Sequence, residues 1–236
     1  MAGAGSLVGL GAVIRPASPG SSSGPGSSSG TGPGCPGRRL VTEPGRGVAA
    51  GPDGAARCPW CLGSADYLAY HDEEWGRPVR DDTSMFERLC LEAFQSGLSW
   101  LTILRKRENF RAAFRGFDIA AVAAFGPGDV SRLLADPGIV RNRAKIEAAI
   151  RNARAAQRLP GGLAALVWSY TGTGHTAPAT LADVPAWTAE SKALAEQLKR
   201  AGFAFTGKVT AYATMQATGV VDDHLQACAF RGAQPA

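Results

Sequence analysis

An all-α fold is what the sequence predicts for the folded part of this 236-residue chain, and three observations carry that expectation. From about Arg57 onward, apolar residues recur at three- and four-residue intervals. Glycines, prolines and short polar residues punctuate those runs where helices start and stop. No stretch alternates apolar and polar residues as a half-buried strand would. Residues 1–56 are different, dominated by Gly, Ser and Pro, as in SPGSSSGPGSSSGTGPGCPG. Such a segment buries too little apolar surface to offset its ordering entropy. The expected organisation is a disordered tail over 1–56, one compact domain over 57–231 and a short tail over 232–236.

Taken in order, the domain opens with RCPWCLGSADYLAYHDEEWG, where a turn at Gly63-Ser64 leads into a short helix. TSMFERLCLEAFQSG follows. It aligns Phe86, Leu89, Cys90, Ala93 and Phe94 on one stripe, starts near the capping candidates Asp82 and Thr83, and stops at Gly97. SWLTILRKRENFRAAFRGF places Leu101, Leu104, Phe110 and Phe114 among basic residues. DVSRLLADPG is a short helix ended by Pro137-Gly138. IVRNRAKIEAAIRNARAAQRL keeps Ile139, Ile146 and Ile150 inside, with Arg141, Arg143, Lys145, Arg151 and Arg154 outside. SKALAEQLKRAGF is closed by Gly202.

Bulk properties narrow the function classes. No apolar run reaches bilayer length. The short run SLVGLGAVI has no basic region before it and no clean cleavage site after it, so no signal peptide is expected. Five cysteines (35, 58, 61, 90 and 228) are too few and scattered for a disulfide scaffold. The cytoplasm is therefore the expected compartment. A net charge of +5 suits a nucleic-acid partner without requiring one.

Two segments invite a metal. Cys58 and His71 stand near the start of the domain, His224 and Cys228 near its end, the latter at a spacing that one helix face could present. Together they make a Cys2His2 set, enough for a closed tetrahedral zinc with no open position, hence structural rather than catalytic. The bland reading is two buried thiols and two satisfied histidines. Cys58-x-x-Cys61 is itself a possible knuckle, in which Cys61 would replace His71. Cys90 reads as core, and Cys35 as inert. His71-Asp72-Glu73 and the run CPWC also echo the zinc deaminases, but their order is reversed and the alternating helix and strand context is missing.

A hairpin stands further on. LKRAGFAFTGKVTAYATMQATGVVDDH reads as a helix, a tight turn and a second helix from about Gly207 to Thr218. Gly207 and Lys208 at its start would offer free N–H groups, the positive end of the dipole and a mobile charge to one phosphate. An ordinary helical hairpin has the same appearance.

The segments RCPW, YLAYHDEEWG, FERLCLEAFQSGLSW, LRKRENF and GKVTAYATMQATGVVDDHLQAC together resemble the DNA-3-methyladenine glycosylase I family, within the helix-hairpin-helix glycosylases. The resemblance spans about Arg57 to Arg231. It implies excision of 3-methyladenine from alkylated double-stranded DNA by a monomeric, monofunctional enzyme that hydrolyses the N-glycosidic bond. It further implies one zinc on Cys58, His71, His224 and Cys228, with no ligand role for Cys61. The family's base pocket falls on Glu92, Tyr70 and Trp100, with Trp60 and Trp75 nearby.

Those residue types suit the chemistry. Aromatic faces attract and stack on a cationic purine. A carboxylate accepts its N–H bonds and favours the charged form. Each residue also has a plainer role: Glu92 four residues after Arg88 could form a surface ion pair, and the tryptophans could be core. Asp222 precedes His224 where many of these glycosylases hold a catalytic aspartate, and is expected instead to cap the turn carrying His224. Val209 takes the place where lyase relatives carry a lysine, so no lyase activity is expected. His175 reads as exposed loop. The competing reading is a zinc-stapled module that binds damaged DNA without cutting it.

Overall fold

The computed structural model describes residues 47–232. The expected tails, apart from residues 47–56 and 232, lie outside the described residues, as does Cys35. The chain runs through a short ribbon, β1 (Ala49–Ala50) and β2 (Ala56–Arg57), then a 3-10 turn over Pro59–Gly63. Nine α-helices follow among the described residues: α1 (Ala65–Glu73), α2 (Asp82–Gln95), α3 (Trp100–Ala113), α4 (Ile119–Ala123), α5 (Pro127–Ala135), α6 (Arg143–Ala156), α7 (Gly162–Trp168), α8 (Ala189–Arg200) and α9 (Lys208–Ala217). The all-α class holds. Two short helices and a ribbon differ from the sequence reading. Helices α4 and α7 are too short for a periodicity argument. The ribbon, with Ala49 opposite Arg57 and Ala50 opposite Ala56, extends the fold to before Arg57.

Helix α2 is the axis of the molecule. Asp81, rather than Asp82 or Thr83, caps it, its carboxylate accepting from the Ser84 amide at 2.8 Å. Asp82 instead accepts from the Ala164 amide at 2.7 Å and ties α7 to it. The expected stripe of Phe86, Leu89, Cys90, Ala93 and Phe94 is buried, but so is every other residue from Met85 to Gln95. Helices α3, α6, α7 and α9 surround it. The charged residues on its far side therefore need partners inside the protein. Arg88 meets Glu74 at 2.6 Å, and Glu87 meets Arg111 at 2.8 Å. Against α2, Phe94 of the helix and Phe110, Phe114 and Phe117 pack ring against ring, with centroids 4.7 to 6.1 Å apart along the series.

Lys145 is a correction. The helical pattern of α6 put it outside, yet it is buried and its Nζ donates to the carbonyls of Phe94 at 2.9 Å and Ser96 at 2.6 Å. It closes the C-terminal end of α2, where the helix dipole favours a cation. Burial lowers its pKa. Arg154 does similar work, donating to the carbonyls of Ala123 and Phe125, both at 2.8 Å.

The end of the chain docks onto its beginning. The amides of Gly76 and Val79, after α1, donate to Gln216 and Thr218 at the end of α9, both at 3.1 Å. Gly219 makes the approach possible: its φ is +70°, and a Cβ there would stand 2.7 Å from the Gly76 carbonyl oxygen and the Arg77 carbonyl carbon. The chain then turns back and lays His224 against Gly76.

Candidate functional site

The cysteine–histidine quartet is assembled by that docking. Cys58 follows β2, His71 sits in the last turn of α1, and His224 and Cys228 lie after α9. The last pair occupies irregular turns rather than a helix face, with the Cys228 amide donating to the Leu225 carbonyl at 2.8 Å. All four ligand atoms lie within 4.8 Å of one another, and all four residues are buried. His224 Nδ1 is 3.1 Å from His71 Nε2. Cys228 Sγ is 3.5 Å from each of those nitrogens, and Cys58 Sγ is 3.9 Å from His224 Nδ1. Around a tetrahedral zinc, bonds of about 2.0–2.1 Å to nitrogen and about 2.3 Å to sulfur place ligand atoms roughly 3.3–3.8 Å apart. The residues fit the ion.

Protonation agrees. His71 Nδ1 lies 2.7 Å from the Asp72 carboxylate, and His224 Nε2 lies 3.0 Å from the Trp75 carbonyl. Both partners only accept, so those nitrogens carry the protons and the other two turn lone pairs toward each other. Lone pairs at such range repel unless an electrophile lies between them. Each thiol acts on the other in this buried cluster, raising the pKa of Cys58 and lowering that of Cys228. A bound metal would ionise both. Cys61 is buried nearby, its pKa pushed up to about 12 by burial, but it is not one of the four. The knuckle alternative fails.

Asp222 caps the ligand turn: its carboxylate accepts from the His224 amide at 3.1 Å and the Gly232 amide at 3.0 Å. The neighbouring Asp223, which the sequence reading passed over, is buried and accepts from Tyr212 Oη at 2.6 Å and Gln216 Nε2 at 2.7 Å. His175 Nε2 bonds the Asp222 carbonyl oxygen at 2.9 Å and lies 3.2 Å from the Asp223 carboxylate, so this loop histidine has a partner after all. Only adjacency to His224 marked Asp223 in the sequence.

The aromatic candidates divide into two groups. Trp60 and Trp75 pack edge to face at 5.1 Å and touch the ligand histidines, Trp60 against His71 at 5.3 Å and Trp75 against His224 at 4.7 Å. Tyr70 and Trp100 pack against each other at 5.2 Å. Glu92 belongs with the second group, since its charge helps to raise the already burial-raised pKa of Tyr70. Helix α1 therefore sends His71 to the metal cluster and Tyr70 to the carboxylate from adjacent positions.

Glu92 corrects the surface-pair reading. It is 7 % exposed and forms neither an ion pair nor a hydrogen bond with any described residue. Arg88, its expected partner, bonds Glu74 and sits over the Tyr70 ring at 5.9 Å. Burial pushes the Glu92 pKa up to about 8 against the nearby positive charge of Arg88. Three buried donors, Trp100 Nε1, Arg88 Nη1 and Arg107 Nε, also lack a partner. Buried polar groups normally have one, so a carboxylate and three donors left over point to a ligand site.

At the hairpin, α8 and α9 pack closely, and Gly207 and Lys208 stand exposed at the start of α9, which no side chain caps. Lys208 Nζ lies 3.6 Å from the centre of the Trp187 ring, itself 41 % exposed. Leu98, on the turn between α2 and α3, is 42 % exposed. Neither Trp187 nor Leu98 was singled out by the sequence reading. Leu98 carried a signal all the same, an apolar residue between Gly97 and Ser99 where no helix stripe continues. No described helix is long and apolar enough to cross a membrane.

The methyladenine glycosylase family model matches residues 60–232. The chain is 45 % identical over 177 residues to DNA-3-methyladenine glycosylase 1 of Escherichia coli (strain K12), covering 73 % of this chain and 95 % of that protein. It is 42 % identical over 178 residues to the DNA-3-methyladenine glycosylase of Haemophilus influenzae, with 73 % and 96 % covered. Among solved structures, 3-methyladenine DNA glycosylase I of Staphylococcus aureus superposes with a TM-score of 0.71 at 33 % identity, covering 75 % of this chain and 97 % of that one. A fold shared over nearly the whole of these relatives, at such identity, makes the chain a member of the methyladenine glycosylase family.

Proposed function

We propose that this protein removes 3-methyladenine from alkylated double-stranded DNA, hydrolysing the N-glycosidic bond and leaving an abasic site. Family membership supports the reaction, and buried, partnerless Glu92 beside Tyr70 supports its location.

Alkylation at N3 places a positive charge on the purine, so the base leaves readily once extracted from the helix. Extraction costs a few kcal/mol, less for a damaged base. Burial pushes the Glu92 pKa up to about 8, which favours its protonated form at neutral pH before a base enters. A cationic purine arriving beside it favours the carboxylate, which then accepts the N–H bonds of the base. Tyr70 and Trp100 supply ring faces that attract the cation, and the unpartnered Trp100 N–H is a donor for a ring nitrogen. When the C1′–N9 bond breaks, its electron pair passes to the purine and discharges it. Water adds to C1′ and loses a proton. A normal, neutral adenine gains none of this charge complementarity, which is the basis of selectivity.

The start of α9, with Gly207 and Lys208, is read as the grip on one backbone phosphate. Exposed Leu98, on the turn joining the Glu92 helix to the Trp100 helix, is read as the apolar wedge that fills the stack after the base leaves it. Zinc on Cys58, His71, His224 and Cys228 would have four protein ligands and serve the fold, not the chemistry. Both sites are built from one chain, in keeping with action as a monomer.

The test is release of free base from methylated DNA by the purified protein. Wild type should release 3-methyladenine, and Glu92→Gln should not while still binding the DNA. Equal release by the two proteins would overturn the assigned pocket.

A further inference from the structure

The β1–β2 ribbon precedes the stretch that matches the family model, yet its residues run into the metal cluster. Arg57, on β2, is 3 % exposed. Its Nε and Nη2 donate to the Asp72 carboxylate at 3.0 and 2.7 Å, and its Nη2 donates to Asp53, on the ribbon turn, at 2.9 Å. Asp72 in turn accepts from His71 Nδ1 at 2.7 Å. A continuous line of charge-assisted bonds therefore runs from the surface Asp53 through Arg57 and Asp72 to a ligand imidazole. The Arg57 guanidinium also stacks over Phe230 at 4.6 Å, and Phe230 packs on His71 at 5.6 Å. The Ala229 amide donates to the Ala56 carbonyl at 2.9 Å, joining the residue after Cys228 to one two positions before Cys58.

We propose that the ribbon is an outer clamp of the metal site, in which Asp53 and Arg57 hold Asp72 in place and Asp72 fixes the orientation of His71, so that metal retention depends on residues that never touch the metal. The proposal rests on the zinc reading above. Three physical arguments carry it. A carboxylate accepting from the outer nitrogen of a ligand imidazole sets its tautomer and raises its basicity, and loss of such a partner typically costs tenfold to a hundredfold in metal affinity. An aspartate bonded on one side only could swing away; Arg57, itself bonded by Asp53, denies Asp72 that freedom. The ribbon is built around Arg57, since a Cβ on Gly51 would stand 2.3 Å from Arg57 Nη1. Asp53, Arg57 and Asp72 are positioning residues, not ligands.

The measurement is zinc release from the full-length protein into excess chelator, followed with a zinc-sensitive dye, with zinc content after dialysis as a second readout. Asp72→Asn and Arg57→Met should each speed release about tenfold to a hundredfold. Asp53→Asn changes a side chain at the surface and keeps the fold safe; it should speed release a few-fold. Gly51→Ala, which displaces the guanidinium without altering any charge, should act in the same direction. Far-UV circular dichroism identifies any variant that has lost its helices, and the two ribbon-turn variants then decide. Release at the wild-type rate by both Asp53→Asn and Gly51→Ala, from protein that starts with one zinc, would overturn the clamp while leaving the zinc site standing. Wild-type protein that never holds zinc would overturn both.

Discussion

Nε2 of His71 and Nδ1 of His224 face each other across 3.1 Å, although 153 positions separate the two residues in the chain. Each has its outer nitrogen occupied, by Asp72 and by the Trp75 carbonyl, so both inner nitrogens present lone pairs. The purified protein should accordingly carry one zinc. His224→Ala should lose it and unfold several degrees earlier, because a ligand bound only by the native state stabilises it. Chelation of the wild type should lower the melting temperature in the same way. Full zinc occupancy in the His224→Ala protein would contradict this.

Glu92 sets a pH dependence with a definite sign. Its folded-state pKa, about 8, lies above the ordinary value of 4.5, chiefly through burial. The neutral form is the one the fold favours. Its contribution is fully present below about pH 4.5 and is lost as pH rises through about 8. Wild-type stability should therefore fall relative to Glu92→Gln across that window, by on the order of a few kcal/mol. Denaturant unfolding at a series of pH values measures this. Parallel stability curves for the two proteins would show that residue 92 is not titrating in a buried site.

The same substitution should separate stability from activity. Glu92→Gln is expected to be more stable than wild type at pH 8, yet to lose at least about a hundredfold in excision of 3-methyladenine, since the amide cannot take up negative charge opposite the purine. Single-turnover release of base reads the second effect. A variant that gained stability and kept its rate would place the chemistry elsewhere.

Lys208 should contribute to DNA binding through charge alone. Lys208→Ala is expected to weaken binding similarly for methylated and undamaged duplexes and to reduce the salt slope by about one. Trp187→Ala, which removes the ring on which the ammonium group rests, should have a smaller effect in the same direction. Equilibrium binding at several salt concentrations tests both. An unchanged slope would mean that Lys208 contacts no phosphate.

Lys145 links stability to the position of the turn that carries Leu98. Its charged bonds to the Phe94 and Ser96 carbonyls predict a loss of about 2–3 kcal/mol in Lys145→Met, from hydrogen bonds to a charged group. Urea unfolding measures it. A change within about 0.5 kcal/mol, as surface substitutions give, would return Lys145 to the outer face that its helix period suggested.

Residue types and spacing offered the metal quartet as a candidate, while the base pocket came only with the family resemblance. Cys58, His71, His224 and Cys228 have few roles beyond metal binding or burial, and the stop of α8 at Gly202 follows from local backbone chemistry. Other features depend on what surrounds a residue. The periodicity of α2 reports one buried face. It is silent on the other: spacing alone allowed Glu92 a surface ion pair, the family resemblance alone put it in the base pocket, and its enclosure by four helices belongs to the packed structure. Lys145 looked external for the same reason, because helical spacing does not reveal which carbonyls end up opposite a side chain. The ribbon over 49–57 left no mark in a Gly-rich stretch, being held by one buried guanidinium between two aspartates and by bonds to the far end of the chain. Local sequence specifies backbone preference and ligand chemistry; burial and partnership are properties of the packed whole, and here they turn an ordinary glutamate into a group titrating near neutrality.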